Sequence, residues 1–232
     1  MGAREVGRVV ALWRYPVKSM APEALESVDV GWHGFAGDRR WAFVRGDVPR
    51  SGFPWLTIRE RVSMLEHVPS FVDPGRPDTS QTVVRTPSGE ELDVVDPALA
   101  ASLGEGVRVI KQNRGVFDAM PLSLITTQAV AGVGEDLDPQ RFRPNLLVEA
   151  AGGGAVPENE WVGSVLRIGG LVMRCDQRDE RCVVVNVDPA TGVRDPAVLR
   201  TIARERSTCL GVYGSTVQRG RVAVGDPVLL DS

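Results

Sequence analysis

"SVLRIGGLVMRC", residues 164 to 175, is two apolar, branched runs broken by Gly169-Gly170. A glycine pair between two such runs marks a tight hairpin, because the turns that match strand twist need positive φ. Outward from it, "RCVVVNVDP" (181–189) reads as the next strand, and "VAVGDPVLL" (222–230) as a strand pair turning at Gly225-Asp226-Pro227. Toward the N-terminus the texture repeats. "GRVVALWRYPV" (7–17) is a strand closed by Pro16, and "RRWAFVRG" (39–46) is a strand ending at Gly46. "TVVRTPSGEELDV" (82–94) is a hairpin around Pro87-Ser88-Gly89, and "GVRVIKQ" (106–112) is again strand.

Helices are few and short. Asp96 caps "PALAASL", with Pro97 at the first helical position and Gly104 as the stop. Thr126 or Thr127 caps a second helix in "LITTQAVAGVGEDL", and "DPQRFRPNLLVEA" passes from a helical turn into a strand. Asp195 and Pro196 open a third, where Val198, Leu199 and Ile202 are spaced for one buried face. The fold class is mainly β with short helices. The texture changes after residue 115, which divides the chain into 1–115 and 116–232, two intimately joined halves.

The chain has 232 residues, 43% hydrophobic and 25% charged, as an ordinary globular protein has. A formal charge of −3 argues against general nucleic-acid binding but leaves room for a local basic pocket. No run approaches the ~18 apolar residues of a membrane span, and the N-terminus lacks the apolar core of a signal peptide. Three cysteines, Cys175, Cys182 and Cys209, without a secretion signal point to free thiols in a reducing cytoplasm. With only His33 and His67 beside them, no zinc spacing appears.

Cys182 stands at the mouth of its apolar run. The ordinary use of such a cysteine is as a small buried hydrophobe. Two features favour a presented sulfur: the position at the run's start, and Arg174, Arg178 and Arg181 nearby, since positive charge lowers a thiol pKa. "YPVKS" (15–19) offers Lys18 and Ser19 just past a strand end, donors suited to phosphate. "GDRRW" (37–41) and "TIRER" (57–61) add arginines. In "RFRPN" (141–145), Pro144 stiffens the chain between Arg143 and Asn145, a guanidinium fork and an amide able to read a heterocycle edge. The helix start at Thr126 or Thr127 is a place for an anion. Each feature alone also has an ordinary structural use. Asp38 and Asp188 are candidate proton donors by position only, and turns or arginine pairing would equally occupy them.

Together, "LWRYPVKSM", "GDRRW", "RFRPNLLV", "RCVVVNVDPATG" and "VAVGDPVLL", in that order along almost the whole chain, resemble the MOSC-domain proteins. Within that group the chain is similar to the mitochondrial amidoxime-reducing component and its bacterial relatives. The resemblance implies a MOSC β-barrel domain packed against an N-terminal β-rich domain, with molybdenum cofactor (molybdopterin) between them. It implies Lys18, Ser19, Arg39, Thr126, Arg143 and Asn145 as cofactor-binding residues, and the Cys182 thiolate as molybdenum ligand and catalytic residue. Soft sulfur suits that metal and must be deprotonated to bind it. The implied activity is reduction of small N-hydroxylated substrates in the cytoplasm. Electrons would come from a separate ferredoxin, cytochrome or flavoprotein reductase, because no clustered cysteines follow "VGDPVLL". The alternative is a cofactor carrier or sulfur-transfer module without its own turnover. The chain has no room for the pyridoxal-phosphate domain that accompanies such modules in sulfurases. Where relatives often carry two threonines after the cysteine, this chain has Val185 and Asn186.

Overall fold

Over Gly7–Val10 in the strand Arg4–Arg14 and Met173–Cys175 in the strand Leu171–Glu180, buried and exposed residues alternate, which gives each stretch one face to bury. The computed structural model describes residues 2–46, 53–115 and 118–231, and it closes those faces into a barrel. Seven strands run round it in the spatial order Leu146–Ala150, Leu122–Thr126, Cys209–Gln218, Leu171–Glu180, Val165–Ile168, Pro227–Leu230 and Arg4–Arg14, and the last pairs back to the first. Closure satisfies the edges that an open sheet would leave unpaired. Val9, Leu12, Leu124, Val148, Leu166 and Met173 fill the interior, with Cys175 among them.

Among these pairings one is parallel, Leu124 opposite Leu146, and the others are antiparallel. Parallel neighbours need a crossover rather than a hairpin. The segment between those two strands supplies it, with a short helix, Thr127–Ala131, and a 3₁₀ turn, Pro139–Phe142. Gln128 fastens the helix to the sheet, donating to the Ala150 carbonyl and accepting from its N–H. The hairpin at Gly169-Gly170 forms as its sequence requires, with Ile168 opposite Leu171 and Gly169 at φ 55°.

The described residues form two compact units. One takes Met1–Trp13, Ala24–Phe35 and Asp118–Ser232, and includes the barrel. The other takes Arg14–Glu23 and Ala36–Phe117. The first strand joins the barrel unit because it is paired on both sides, Val9 with Val148 and Arg4 with Leu230. The division read at 115/116 abuts residues 116–117, which lie outside the described residues. The second unit pairs Trp41–Val44 with Arg108–Lys111 and carries a meander of Val68–Phe71, Thr82–Arg85 and Glu91–Asp93. Its helix, Pro97–Leu103, is capped by the Asp96 side chain and stops at Gly104. No helix among the described residues is long and apolar enough to cross a membrane.

Two expectations fail. "VVVN" is not a strand: Val183–Asn186 is a 3₁₀ turn. The buried guanidinium of Arg141 takes the Val185 and Asn186 carbonyls at 3.3 and 3.0 Å, and the Asn186 side chain accepts from the Leu199 N–H at the start of the helix Pro196–Arg206. Those bonds occupy backbone groups that a sheet ladder would have used, so tertiary context overrides β propensity. "VAVGDPVLL" does form two strands, but not with each other: Gly220–Ala223 pairs with Ser27–Gly31, and Pro227–Leu230 enters the barrel. Val9 bonds the backbone of both Gly225 and Asp226, while the Asp226 carboxylate accepts from the Ala223 N–H. The corner is thereby held open between two sheets.

Candidate functional site

The second unit brings Lys18, Ser19 and Arg39 to one place. The turn after the first strand is laced to the segment 38–41: Asp38 Oδ1 accepts from the Tyr15 N–H at 2.7 Å, and the Tyr15 carbonyl accepts from the Arg39 N–H at 2.7 Å. The Lys18 N–H donates to the Trp41 carbonyl at 2.8 Å. Ser19 and Arg39 hold left-handed backbone, φ 68° and 47°. The Arg39 guanidinium lies over the Tyr15 ring, 4.7 Å from its centroid, and pairs with Asp38, which offsets part of its charge. Lys18 and Ser19 are buried.

In the barrel unit, Asn145 links through Ser123 and Asp179 to Arg181, which precedes Cys182 and bonds the carbonyl of Phe142, the residue before Arg143. Cys182 is half-buried, just past the end of the long strand and immediately before the 3₁₀ turn. Arg143 ends the turn Pro139–Phe142 in left-handed backbone, φ 52°. Asn145 is buried, and its amide is built into the fold: Oδ1 accepts from the Ser123 N–H and Nδ2 donates to the Trp13 carbonyl. The Ser123 hydroxyl in turn donates to Asp179, which pairs with Arg181 at 2.9 Å. Burial pushes the Asp179 carboxyl up to about 6 against the opposing pull of Arg181 and Ser123.

Several residues marked by the sequence prove to have structural work. Thr126 caps its helix as read, accepting from the Ala129 N–H, and is fully buried with its hydroxyl donating to Glu158 at 2.6 Å. Burial raises the Glu158 carboxyl above its usual range. Asp38 serves the turn and Arg39, and Asp188 pairs with Arg141 and accepts from Thr191 and Ala190. The Thr191 backbone bond, above all, holds the Asp188 carboxyl below the usual range. Arg174 and Arg181, read as positive neighbours of the thiol, are engaged by Asp176 and Asp179. Cys175 lies in the barrel core, its thiol pushed up to about 12 by burial. The sequence reading missed Arg141, Asp179 and Ser123; the one available signal was the Asp-x-Arg pattern of "DERC" at a strand end. Among the described residues no group of three or more His, Cys, Asp or Glu is set to hold a metal.

Comparison with known proteins agrees with this architecture. A family model described as MOSC N-terminal beta barrel domain matches residues 6–95, and one described as MOSC domain matches 118–229. A protein named molybdenum cofactor sulfurase from Drosophila grimshawi is 30% identical over 159 residues, 59% of this chain and 20% of that one. Mitochondrial amidoxime reducing component 2 from Bos taurus is 30% identical over 128 residues, 48% of this chain and 37% of that one. The chain therefore spans well under half the length of these curated relatives. The crystal structure of YUAD protein from Bacillus subtilis superposes over 99% of this chain and 98% of that one, with a TM-score of 0.52 at 12% identity, a likeness of fold. With both domain models matched in order and the seven-stranded barrel closed, the chain belongs to the MOSC family, as a MOSC N-terminal beta barrel domain followed by a MOSC domain.

Proposed function

We propose that this protein binds the molybdenum cofactor, with Lys18, Ser19, Arg39 and Arg143 holding its phosphate and pterin and the Cys182 thiolate ligating the metal. Thr126 and Asn145 contribute through the backbone they fix. In this reading the chain divides functionally near residue 115, its location is cytoplasmic, and its activity is reduction of N-hydroxylated compounds with electrons from a separate protein.

One observation carries the reading. Five non-glycine residues among those described have positive φ, and three of them are Ser19, Arg39 and Arg143. Left-handed backbone costs roughly 1–2 kcal/mol per non-glycine residue, and such strain collects where a site dictates side-chain placement. Ser207 and Thr208 follow the end of the helix Pro196–Arg206 and Arg143 ends the turn Pro139–Phe142, so capping explains their backbone; Ser19 and Arg39 follow no helix end and carry the observation.

The donor chemistry fits the group. A half-buried thiol offers soft sulfur, while ammonium, hydroxyl and guanidinium offer charge-assisted bonds to phosphate. The bound cofactor would supply the two-electron chemistry that removes oxygen from an N-hydroxyl group as water. The protein's part is to fix the metal's sulfur ligand on a turn braced by Arg141 and Arg181, and to anchor the phosphate on a backbone already held in shape. The test is molybdenum content after expression in a cofactor-making host, followed by reduction of a generic N-hydroxylated substrate with an artificial reductant. Stoichiometric metal with turnover is expected; a metal-free protein from that host refutes the reading.

A second reading, cofactor carriage or sulfur transfer without reductase turnover, is favoured by the sulfurase match, which covers more of this chain than the amidoxime reducing component match does. Bound molybdenum with no reduction in the same assay selects it.

A further inference from the structure

We infer that Arg181 is a positioning residue whose guanidinium sets the spacing between the Cys182 thiol and Arg143. The inference rests on the proposed role of Cys182 as metal ligand. The Arg181 side chain is 6% exposed, and its nitrogens reach three directions. Nε donates to the Leu210 carbonyl at 2.7 Å, Nη1 donates to the Phe142 carbonyl at 2.8 Å, and Nη2 lies 2.9 Å from Asp179 Oδ2. The Arg181 N–H donates to the Thr208 carbonyl at 2.8 Å. Arg181 immediately precedes Cys182, and Phe142 immediately precedes Arg143. One rigid fork therefore ties the residue before the thiol to the residue before the left-handed arginine.

The chain is shaped around that fork. Gly211 has φ 79°, and a Cβ there would stand 3.1 Å from Arg181 Nη2 and 2.7 Å from the Leu124 carbonyl. Asp179, 1% exposed, holds the guanidinium and is itself held by Ser123 and Tyr213. A buried ion pair is a poor source of net stability, because desolvation offsets its attraction; what it supplies is a single geometry. A lysine would keep the charge beside Asp179 but could not also reach two carbonyls in the fixed geometry of a planar fork.

The test uses cofactor-free and cofactor-loaded protein in a Cys209→Ser background, with folding checked by circular dichroism and melting. In cofactor-free protein, Arg181→Met and Arg181→Lys should each change the rate at which iodoacetamide alkylates Cys182 by about fivefold or more, because the turn samples more conformations. In loaded protein both should alter the Mo(V) electron paramagnetic resonance signal. Parent-like alkylation in both variants overturns the inference. So does full rescue by Lys, which would make charge rather than the fork decisive. If neither variant folds, Asp179→Asn decides: unchanged alkylation there overturns the inference as well. Cys182→Ser separates the two readings. A parent-like signal from loaded Cys182→Ser refutes the metal-ligand role, while the alkylation measurement still judges Arg181.

Discussion

Asp179 should make the protein's stability fall as pH rises from acid toward neutral. Its carboxyl is 1% exposed, and burial raises it from the ordinary 3.8 to about 6 although Arg181, Ser123 and Tyr213 all favour the charged form. Between those two values the folded state holds a proton that the unfolded chain has released. The contribution is therefore complete below the unfolded value and lost as pH passes the folded one. At ~1.4 kcal/mol per pKa unit the difference amounts to about 3 kcal/mol, or about 5–10 °C in melting temperature for a chain of this size. Asp179→Asn keeps the volume and the acceptor oxygen for Ser123 but cannot titrate. Urea and thermal unfolding of parent and variant between about pH 4 and 7.5 isolates this one group from the other carboxylates. The parent's advantage over the variant should shrink by most of that amount as pH rises. Parallel curves would refute the reasoning, showing that the ion pair with Arg181 repays the burial of the charge in full.

Cys182→Ser should fold and lose nearly all reductase turnover per bound molybdenum, whereas Cys209→Ser keeps it. The matching control for Cys175 is Ala, because a serine hydroxyl in the barrel core would lack a partner at a cost of about 1–3 kcal/mol. Lys18→Ala and Arg143→Ala should each lower the molybdenum retained through gel filtration, and full occupancy in both would remove them from the proposed anchor. Asp195→Ala removes the side-chain cap on the Ala197 N–H and should cost about 1 kcal/mol by urea unfolding; an unchanged midpoint would mean that packing alone holds the helix Pro196–Arg206.

What the sequence determined by itself is local. Asp96, Pro97 and Gly104 mark a helix's two ends, and Gly169-Gly170 marks a hairpin, because capping and positive φ act within a few residues of chain. The ordered motifs likewise pointed to the family, and it was that resemblance, not any residue taken singly, that implied roles for Cys182, Lys18 and Arg143. Tertiary structure decided the rest. The strand Arg4–Arg14 closes the barrel against Leu146–Ala150, a partner far along the chain that no local pattern names. "VVVN" has every local reason to be a strand and becomes a turn because a buried arginine from a distant segment takes its carbonyls. For Thr126 and Asn145, sequence alone shows only the residue types, and the fold decides the partners, Glu158 for one and Ser123 and Trp13 for the other. A buried polar group must find a partner, and which partner it finds depends on where the rest of the chain has packed.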